Sequence, residues 1–251
     1  MIDINCDLGE GEPIEKTRRF LRWVTSANIA CGGHAGSVRK MRSCLRLCGE
    51  LGVNAGAHPG FVDRENFGRK EMPVSFSDLV SLIESQAGGL EMLADEEKVS
   101  LSHIKLHGSL YHVVERDRRL SAAYVEFVKE RFPGLRILAS PNGYVIPIAE
   151  RLGVKAWAEI FSDRGYMAGG GLIPRSEPDA VLRDPAEIKM RMEMFLSSGR
   201  LPLKNGDTLK ISAQTVCVHA DSPGALRIAR LLAKLCSGSL SDSEMRPENE
   251  A

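Results

Sequence analysis

The chain has 251 residues, 43% of them hydrophobic, and its 33 basic and 33 acidic side chains give a formal net charge of zero. That length suits one large α/β domain or two small ones, with apolar content enough for a full core. A balanced charge supplies no field to draw in nucleic acid or an anionic membrane surface, so neither is expected as a partner.

No apolar run approaches the ~20 residues of a membrane span. Six cysteines (Cys6, Cys31, Cys44, Cys48, Cys217 and Cys236) include no CxxC pair, which fits reduced thiols and a cytoplasmic location. The chain begins at once with strand-like residues, so no leader is expected in front of it. In that first strand Ile2, Ile4 and Cys6 alternate with Asp3, Asn5 and Asp7. One face is therefore apolar and the other carries two carboxylates and an amide. A glycine-spaced acidic loop, Leu8-Gly9-Glu10-Gly11-Glu12, follows.

Ser26-Ala27-Asn28-Ile29-Ala30-Cys31-Gly32-Gly33-His34-Ala35-Gly36 reads as a buried strand that opens into a tight loop. Its glycines are expected to leave room for a small ligand. Ser37 to Leu51 has a helical apolar stripe stopped by Gly52. Val53 to Gly60 is a second short strand ending in histidine and glycine, here His58. Phe76 to Leu93 reads as one helix. In the segment 103–111, His103, Lys105 and His107 share one strand face while Ile104 and Leu106 take the other. A lysine inside a buried parallel strand needs a partner or a job.

Arg118 to Arg131 is an amphipathic helix, Arg136 to Ala139 a strand, Gly143 to Leu152 a helix stopped by Gly153, and Val154 to Glu159 a strand. The loop Phe161 to Arg175 is long and glycine-rich, with Arg164 and Arg175 in it; long loops of this kind are commonly functional. Asp184-Pro185 is an N-cap followed by proline at the first helical position, and Thr215 to Asp221 is a seventh strand, ending in His219 and a carboxylate. Ser222-Pro223 caps a last helix to about Cys236. Residues 1–236 are thus read as a single barrel domain and 237–251, rich in Ser, Asp and Glu, as an unstructured tail. Seven strand–helix units with polar groups bunched at strand ends predict a seven-stranded (β/α) barrel, TIM-like, with its site at the C-terminal mouth. There is no G-x-G-x-x-G or P-loop sequence for a nucleotide.

Six stretches, in order, carry a family resemblance: Asn5 to Gly11, Ser26 to Gly36, Gly56 to Phe61, Phe67-Gly68-Arg69, Lys105 to Tyr111, and Asp163-Arg164-Gly165-Tyr166. They resemble the LamB/YcsF family, the A component of the bacterial ATP-dependent 5-oxoprolinase, from Met1 to about Lys234. The chain departs from the family's pattern at Glu12-Pro13, at Gly33, where Phe is common, and at Ala220, where Gly is usual. The resemblance implies a seven-stranded barrel related to NodB-like polysaccharide deacetylases. It also implies hydrolysis of 5-oxo-L-proline to L-glutamate at the expense of ATP, with partner subunits B and C.

A five-membered lactam is a stabilised amide, so opening it needs an activated carbonyl, an activated water and a stabilised oxyanion. Asp7 and Glu159 are the candidate general bases, each with a simple ion pair to Lys105 as its alternative role. Lys105 is a candidate for holding the oxyanion or a phosphoryl oxygen. His34, His58, His107 and His219 are candidates for proton transfer or metal binding. Arg69 and Arg164 are expected to clamp a carboxylate or phosphate, and Asn28 and Tyr111 to touch substrate. The likeness to metal-dependent deacetylases keeps open a rival, in which Asp7, His34 and His58 hold a divalent metal that activates water for amide or N-acetyl hydrolysis. A third reading is a non-catalytic barrel that docks the B and C subunits.

Overall fold

The computed structural model describes residues 2–178, 180–220 and 224–236. Seven parallel strands close into a barrel: β1 (Asp3–Leu8), β2 (Ser26–Ala30), β3 (Asn54–His58), β4 (Leu101–Lys105), β5 (Arg136–Ala139), β6 (Ala156–Phe161) and, last in the chain, β9 (Thr215–His219), which pairs with both β6 and β1. A small antiparallel hairpin, β7 (Arg200–Pro202) and β8 (Thr208–Lys210), stands apart from the barrel. The connections carry α1 (Ile14–Leu21), α2 (Val38–Leu51), α3 (Phe76–Ile83), α4 (Gly89–Glu96), α5 (Gly108–Arg116), α6 (Arg118–Arg131), α7 (Val145–Leu152), α8 (Pro185–Ser198) and α9 (Ala225–Cys236). None of the helices among the described residues is long and apolar enough to cross a membrane.

Every residue of β1 is buried, as a strand with helices on one face and the lumen on the other must be. Ile4, Cys6 and Leu8 join the core between sheet and helices. Asp3, Asn5 and Asp7 point inward, into a lumen that departs from the usual Val/Ile/Leu filling of such barrels. At its base Asp3 accepts hydrogen bonds from Ser26 and Thr215. One level up, Asn5 Nδ2 donates to Glu159 Oε1 (2.9 Å) and to Thr215 Oγ1 (2.7 Å). The pairing register sets Asp7 opposite both Asn28 and His219, and Ala30 opposite His58. A parallel register therefore delivers polar residues from distant parts of the chain to one level.

Several local signals act as expected. Ser37 caps α2, Gly52 and Gly153 end their helices in the left-handed conformation, and Asp184 caps α8 with Pro185 behind it. Four elements differ from the sequence reading. α1 has an apolar set (Phe20 and Leu21 buried, Ile14 half-buried) that is masked by the charged residues interleaved with it. The helix expected over Phe76 to Leu93 contains a π-helical turn, Glu84–Gly88, between α3 and α4. That turn puts the Gln86 amide against Gly60, donating to its carbonyl (2.7 Å) and accepting from its N–H (3.1 Å). β4 ends at Lys105, and Gly108, at φ +53°, starts α5 so close to Gly68 that a Cβ would lie 2.6 Å from its carbonyl oxygen. The β7–β8 hairpin has strands too short to show alternation. The expected Ser222-Pro223 cap, the Asp221 carboxylate and the tail 237–251 lie outside the described residues.

Two of the three glycines of the 31–36 loop, Gly33 and Gly36, make room for protein, and Gly32 faces open space. A Cβ at Gly33 would lie 2.5 Å from the Gln86 side chain and 2.6 Å from the Gly60 carbonyl, so this glycine makes room for the neighbouring chain. The departure from phenylalanine at this position is thus matched by Gln86 filling the space.

Candidate active site

A cavity of about 610 Å³ opens at the C-terminal mouth of the barrel. The strand ends supply Asp7, His58, Lys105, Phe161 and His219, and the loops beyond them supply Glu10, Arg69, His107, Arg164 and Arg175, with Tyr111 entering from α5. Of the residues singled out from the sequence, Asn28, His34 and Glu159 lie behind this wall rather than in it, all buried.

Lys105 is the centre of the floor. Its ammonium lies 2.8 Å from Asp7 Oδ1, 3.0 Å from Glu159 Oε1 and 3.1 Å from Cys217 Sγ, and a longer approach of 3.3 Å reaches Asn5 Oδ1. Three N–H donors are matched by these acceptors, so the expected oxyanion role has no donor left to serve it. Burial opposes the charge on Lys105, but Asp7 and the other groups packed on it win and hold its pKa well above the ordinary lysine value. Burial likewise pushes Asp7 up, yet His58 and Lys105 more than offset this and keep it well below the usual carboxylate range. A base needs proton affinity, and Asp7 has little. Glu159 moves the other way, raised by burial, but it sits beneath the floor as the partner of Lys105.

Asn28 holds this floor in place. Its Nδ2 donates to Asn5 Oδ1 and to Asp7 Oδ1, both at 2.7 Å, and its Oδ1 accepts from His103 Nε2 at 2.8 Å. His103 crosses the lumen over Gly56, where a Cβ would fall 2.2 Å from the imidazole. Asn28 therefore orients Asp7 and does not reach the cavity.

Above the floor, three imidazoles gather round Glu10. His34 and His107 stack with centroids 3.5 Å apart, and His58 meets both edge-on. Glu10 Oε1 lies 2.9 Å from His34 Nε2, 3.4 Å from His107 Nδ1 and 4.0 Å from His58 Nε2. His34 is pulled down to about 3 and His107 well below the ordinary value, in both cases first by burial and then by the neighbouring His58. Glu12, one of the departures, pins the loop that carries Glu10: its carboxylate accepts from the N–H of Gly9 (2.7 Å) and of Glu10 (2.9 Å) and from Thr17 Oγ1 (2.7 Å).

Across the cavity, His219 Nδ1 is 2.8 Å from Asp163 Oδ1 and 3.1 Å from Oδ2, and its ring is parallel to that of Phe161. The carboxylate fixes the Nδ1–H tautomer and leaves Nε2 as the basic nitrogen. Tyr111 lines the same space, and among the described residues its buried hydroxyl has no hydrogen-bond partner; nor does Glu159 Oε2. Arg164, expected to clamp an anion, lines the cavity and also donates from Nε to the carbonyl of Ala180 (2.9 Å) and from Nη2 to that of Ile173 (2.7 Å), bracing the loop after β6. Burial and the nearby Arg175 bring it down to about 10. Arg69 does line the cavity, its guanidinium packed over the Phe67 ring.

Sequence reasoning missed Glu10, Asn5, Asp163 and Cys217 as members of the site. Asp163 was legible only as part of a motif, because its role depends on a partner 56 residues away. The metal set Asp7, His34 and His58 is not the one assembled: Asp7 Oδ1 is taken by Lys105 and Asn28. Among the described residues, the groups whose donor atoms all lie within 4.8 Å of one another are Glu10, His34, His58 and His107, and separately Asp7, Cys217 and His219.

A closed seven-stranded (β/α) barrel with a polar lumen and a histidine- and arginine-lined mouth defines the class of protein. Residues 2–246 match the LamB/YcsF family, to which the chain belongs. A lactam utilization protein from Thermus thermophilus superposes with a TM-score of 0.85 at 34% identity, over 94% of this chain and 97% of the other. A protein from Enterococcus faecalis assigned to cellobiose-phosphate cleavage shares the fold alone (TM-score 0.51, 13% identity, 92% of this chain and 88% of the other). A family 4 carbohydrate esterase from Streptomyces lividans gives 0.47 at 10% identity, over 98% of this chain and 96% of the other, and carries no argument.

Proposed function

We propose that this chain is the A component of an ATP-dependent 5-oxoprolinase, opening the lactam of 5-oxo-L-proline to L-glutamate with partner subunits B and C in the cytoplasm. Membership of the LamB/YcsF family and the likeness to a lactam utilization protein support the lactam. The single structural observation that carries the chemistry is the His219–Asp163 pair at the cavity wall, 2.8 Å apart.

In this reading His219 Nε2 takes a proton from the attacking water while Asp163 steadies the imidazolium, as in other carboxylate-oriented histidine bases. The same imidazole returns the proton to the ring nitrogen as the C–N bond breaks. Tyr111, whose hydroxyl has no hydrogen-bond partner among the described residues, donates to an oxygen of the phosphoryl group on the activated amide. In this reading ATP used by the complex phosphorylates the amide oxygen and leaves as ADP. The first water adds to the activated carbon so that C–N cleavage gives γ-glutamyl phosphate, and a second water releases glutamate and inorganic phosphate, with Arg69 and Arg175 at the wall favouring the anionic ends. Asp7, fixed by Lys105 and Asn28, presents Oδ2 3.4 Å from His58 Nε2.

The rival reading, an amide hydrolase using a metal without ATP, is favoured by one observation, the histidine cluster round Glu10. The test of function is glutamate release from 5-oxoproline by the purified chain, alone and with B and C, with and without ATP. Release that needs all three proteins and ATP supports the proposal. Hydrolysis of simple amides by the chain alone supports the rival, and turnover by B and C without this chain refutes both.

A further inference from the structure

We propose that Glu10, His58 and His107 form a three-ligand site for a divalent first-row transition ion, with His34 as the residue that orients Glu10. The tautomers carry the inference. His58 Nδ1 lies 2.8 Å from the Lys105 carbonyl, which only accepts, so Nδ1 bears a proton and the neutral ring that a metal ligand must be has its lone pair on Nε2, which also faces Asp7 Oδ2 at 3.4 Å. His107 Nε2 lies 2.9 Å from the Phe67 carbonyl, so here Nδ1 bears the lone pair. These two nitrogens are 3.0 Å apart. Two buried lone pairs directed at one another repel unless a cation or a proton stands between them.

The third corner is an anion. Glu10 Oε1 lies 3.4 Å from His107 Nδ1 and 4.0 Å from His58 Nε2. A triangle with sides of 3.0, 3.4 and 4.0 Å has its centre about 2.0 Å from each corner, the usual zinc–imidazole and zinc–carboxylate distance. All three residues line the cavity, which leaves a coordination position open to it. His34 does not line the cavity, and its Nε2, 2.9 Å from the same carboxylate oxygen, serves as a hydrogen-bond donor to it.

The outer contacts fit the same purpose. Metal-bound imidazoles characteristically donate their second N–H to a backbone carbonyl or carboxylate, and both ligand histidines here do so. Phe67 is held at φ +56°, a left-handed conformation that is unfavourable for a non-glycine residue and persists where surroundings enforce it. Its carbonyl thereby reaches His107, and its ring packs edge-on against His107 and His34. Two imidazoles and a carboxylate suit zinc or iron(II) rather than calcium or magnesium.

Binding is measurable on the isolated full-length chain, with neither turnover nor partner, so its outcome is independent of the lactam reading. The chain is stripped with a chelator, checked by circular dichroism, and titrated calorimetrically with Zn²⁺, then with Co²⁺ to read the visible absorption of the bound ion. The expected result is one equivalent at micromolar affinity or tighter, weakened at least 100-fold by His58→Ala and by His107→Ala. His34→Ala should retain one equivalent with affinity reduced about 10–100-fold. Absence of a stoichiometric site below millimolar Zn²⁺ in the folded protein overturns the proposal and leaves a shared proton between the rings. Binding that survives His58→Ala but is abolished by His219→Ala also overturns it, and moves the ion to Asp7, Cys217 and His219.

Discussion

Replacing Lys105 by methionine removes the one ammonium that stands between Asp7 and Glu159, 5% and 1% exposed respectively. Methionine roughly keeps the length of the side chain, so the loss is chiefly electrostatic. Removing one member of a buried ion pair costs about 3–5 kcal/mol because the remaining charge stays buried. Against a total stability of about 5–15 kcal/mol this is a large fraction. The pH dependence gives a second signature. In the wild type Asp7 is held low, so its contribution is present above the unfolded carboxylate pKa and lost as pH falls. Without Lys105, Asp7 keeps His58 as a partner, whereas Glu159, already raised by burial, loses the main group that lowers it, so the Glu159 part of the loss grows as pH rises past about 4. Urea unfolding followed by circular dichroism at pH 5 and pH 7 reads both effects. Adding Asp7→Asn to Lys105→Met should recover much of the loss, since it removes the charge left behind. A cost below about 1 kcal/mol with an unchanged pH slope would refute the account of the floor.

Three further outcomes follow from the same geometry. His103, buried and pulled down to about 3 by burial and by Lys105, stays neutral in the fold while its unfolded form protonates near 6.5. Stability is therefore full above pH 6.5 and falls below it, by about 2 kcal/mol at pH 5, and His103→Gln should flatten that part of the unfolding profile. Glu12→Ala frees the loop that holds Glu10, with an expected loss of about 1–3 kcal/mol, seen as a lower thermal midpoint. Gly33→Ala sets a methyl against the Gly60 carbonyl and should cost about 1–3 kcal/mol in a urea titration, with Gln86→Ala relieving only the side-chain part of the clash.

Much of the architecture was legible because a parallel barrel writes itself plainly: seven apolar runs, each followed by a helix, with polar groups at the strand ends. The alternation of Asp3, Asn5 and Asp7 against Ile4 and Cys6 marked the lumen face, and Lys105 in mid-barrel marked a need for partners. What a one-dimensional pattern does not carry is who those partners are. The sequence allowed Lys105 to stabilise an oxyanion; only the spatial meeting of Asp7, Glu159 and Cys217 shows its donors already in use. Arg164 looked like an anion clamp because arginines in loops often are, and the sequence did not show that its Nε and Nη2 also brace the carbonyls of Ala180 and Ile173. The glycines of the 31–36 loop were read as room for substrate, since glycine marks close approach without saying whether a ligand or another stretch of chain approaches. The π turn at Gln86 was hidden because the helical periodicity continues on either side of it.

The most direct test of the central claim is single-turnover glutamate formation from 5-oxoproline and ATP by the reconstituted complex, comparing wild type with His219→Ala. If His219 is the base at the barrel mouth, the rate falls at least 100-fold while the substrate concentration for half-saturation changes by less than about threefold, as expected when only a transition-state interaction is removed. A variant that forms glutamate at the wild-type rate would contradict the account.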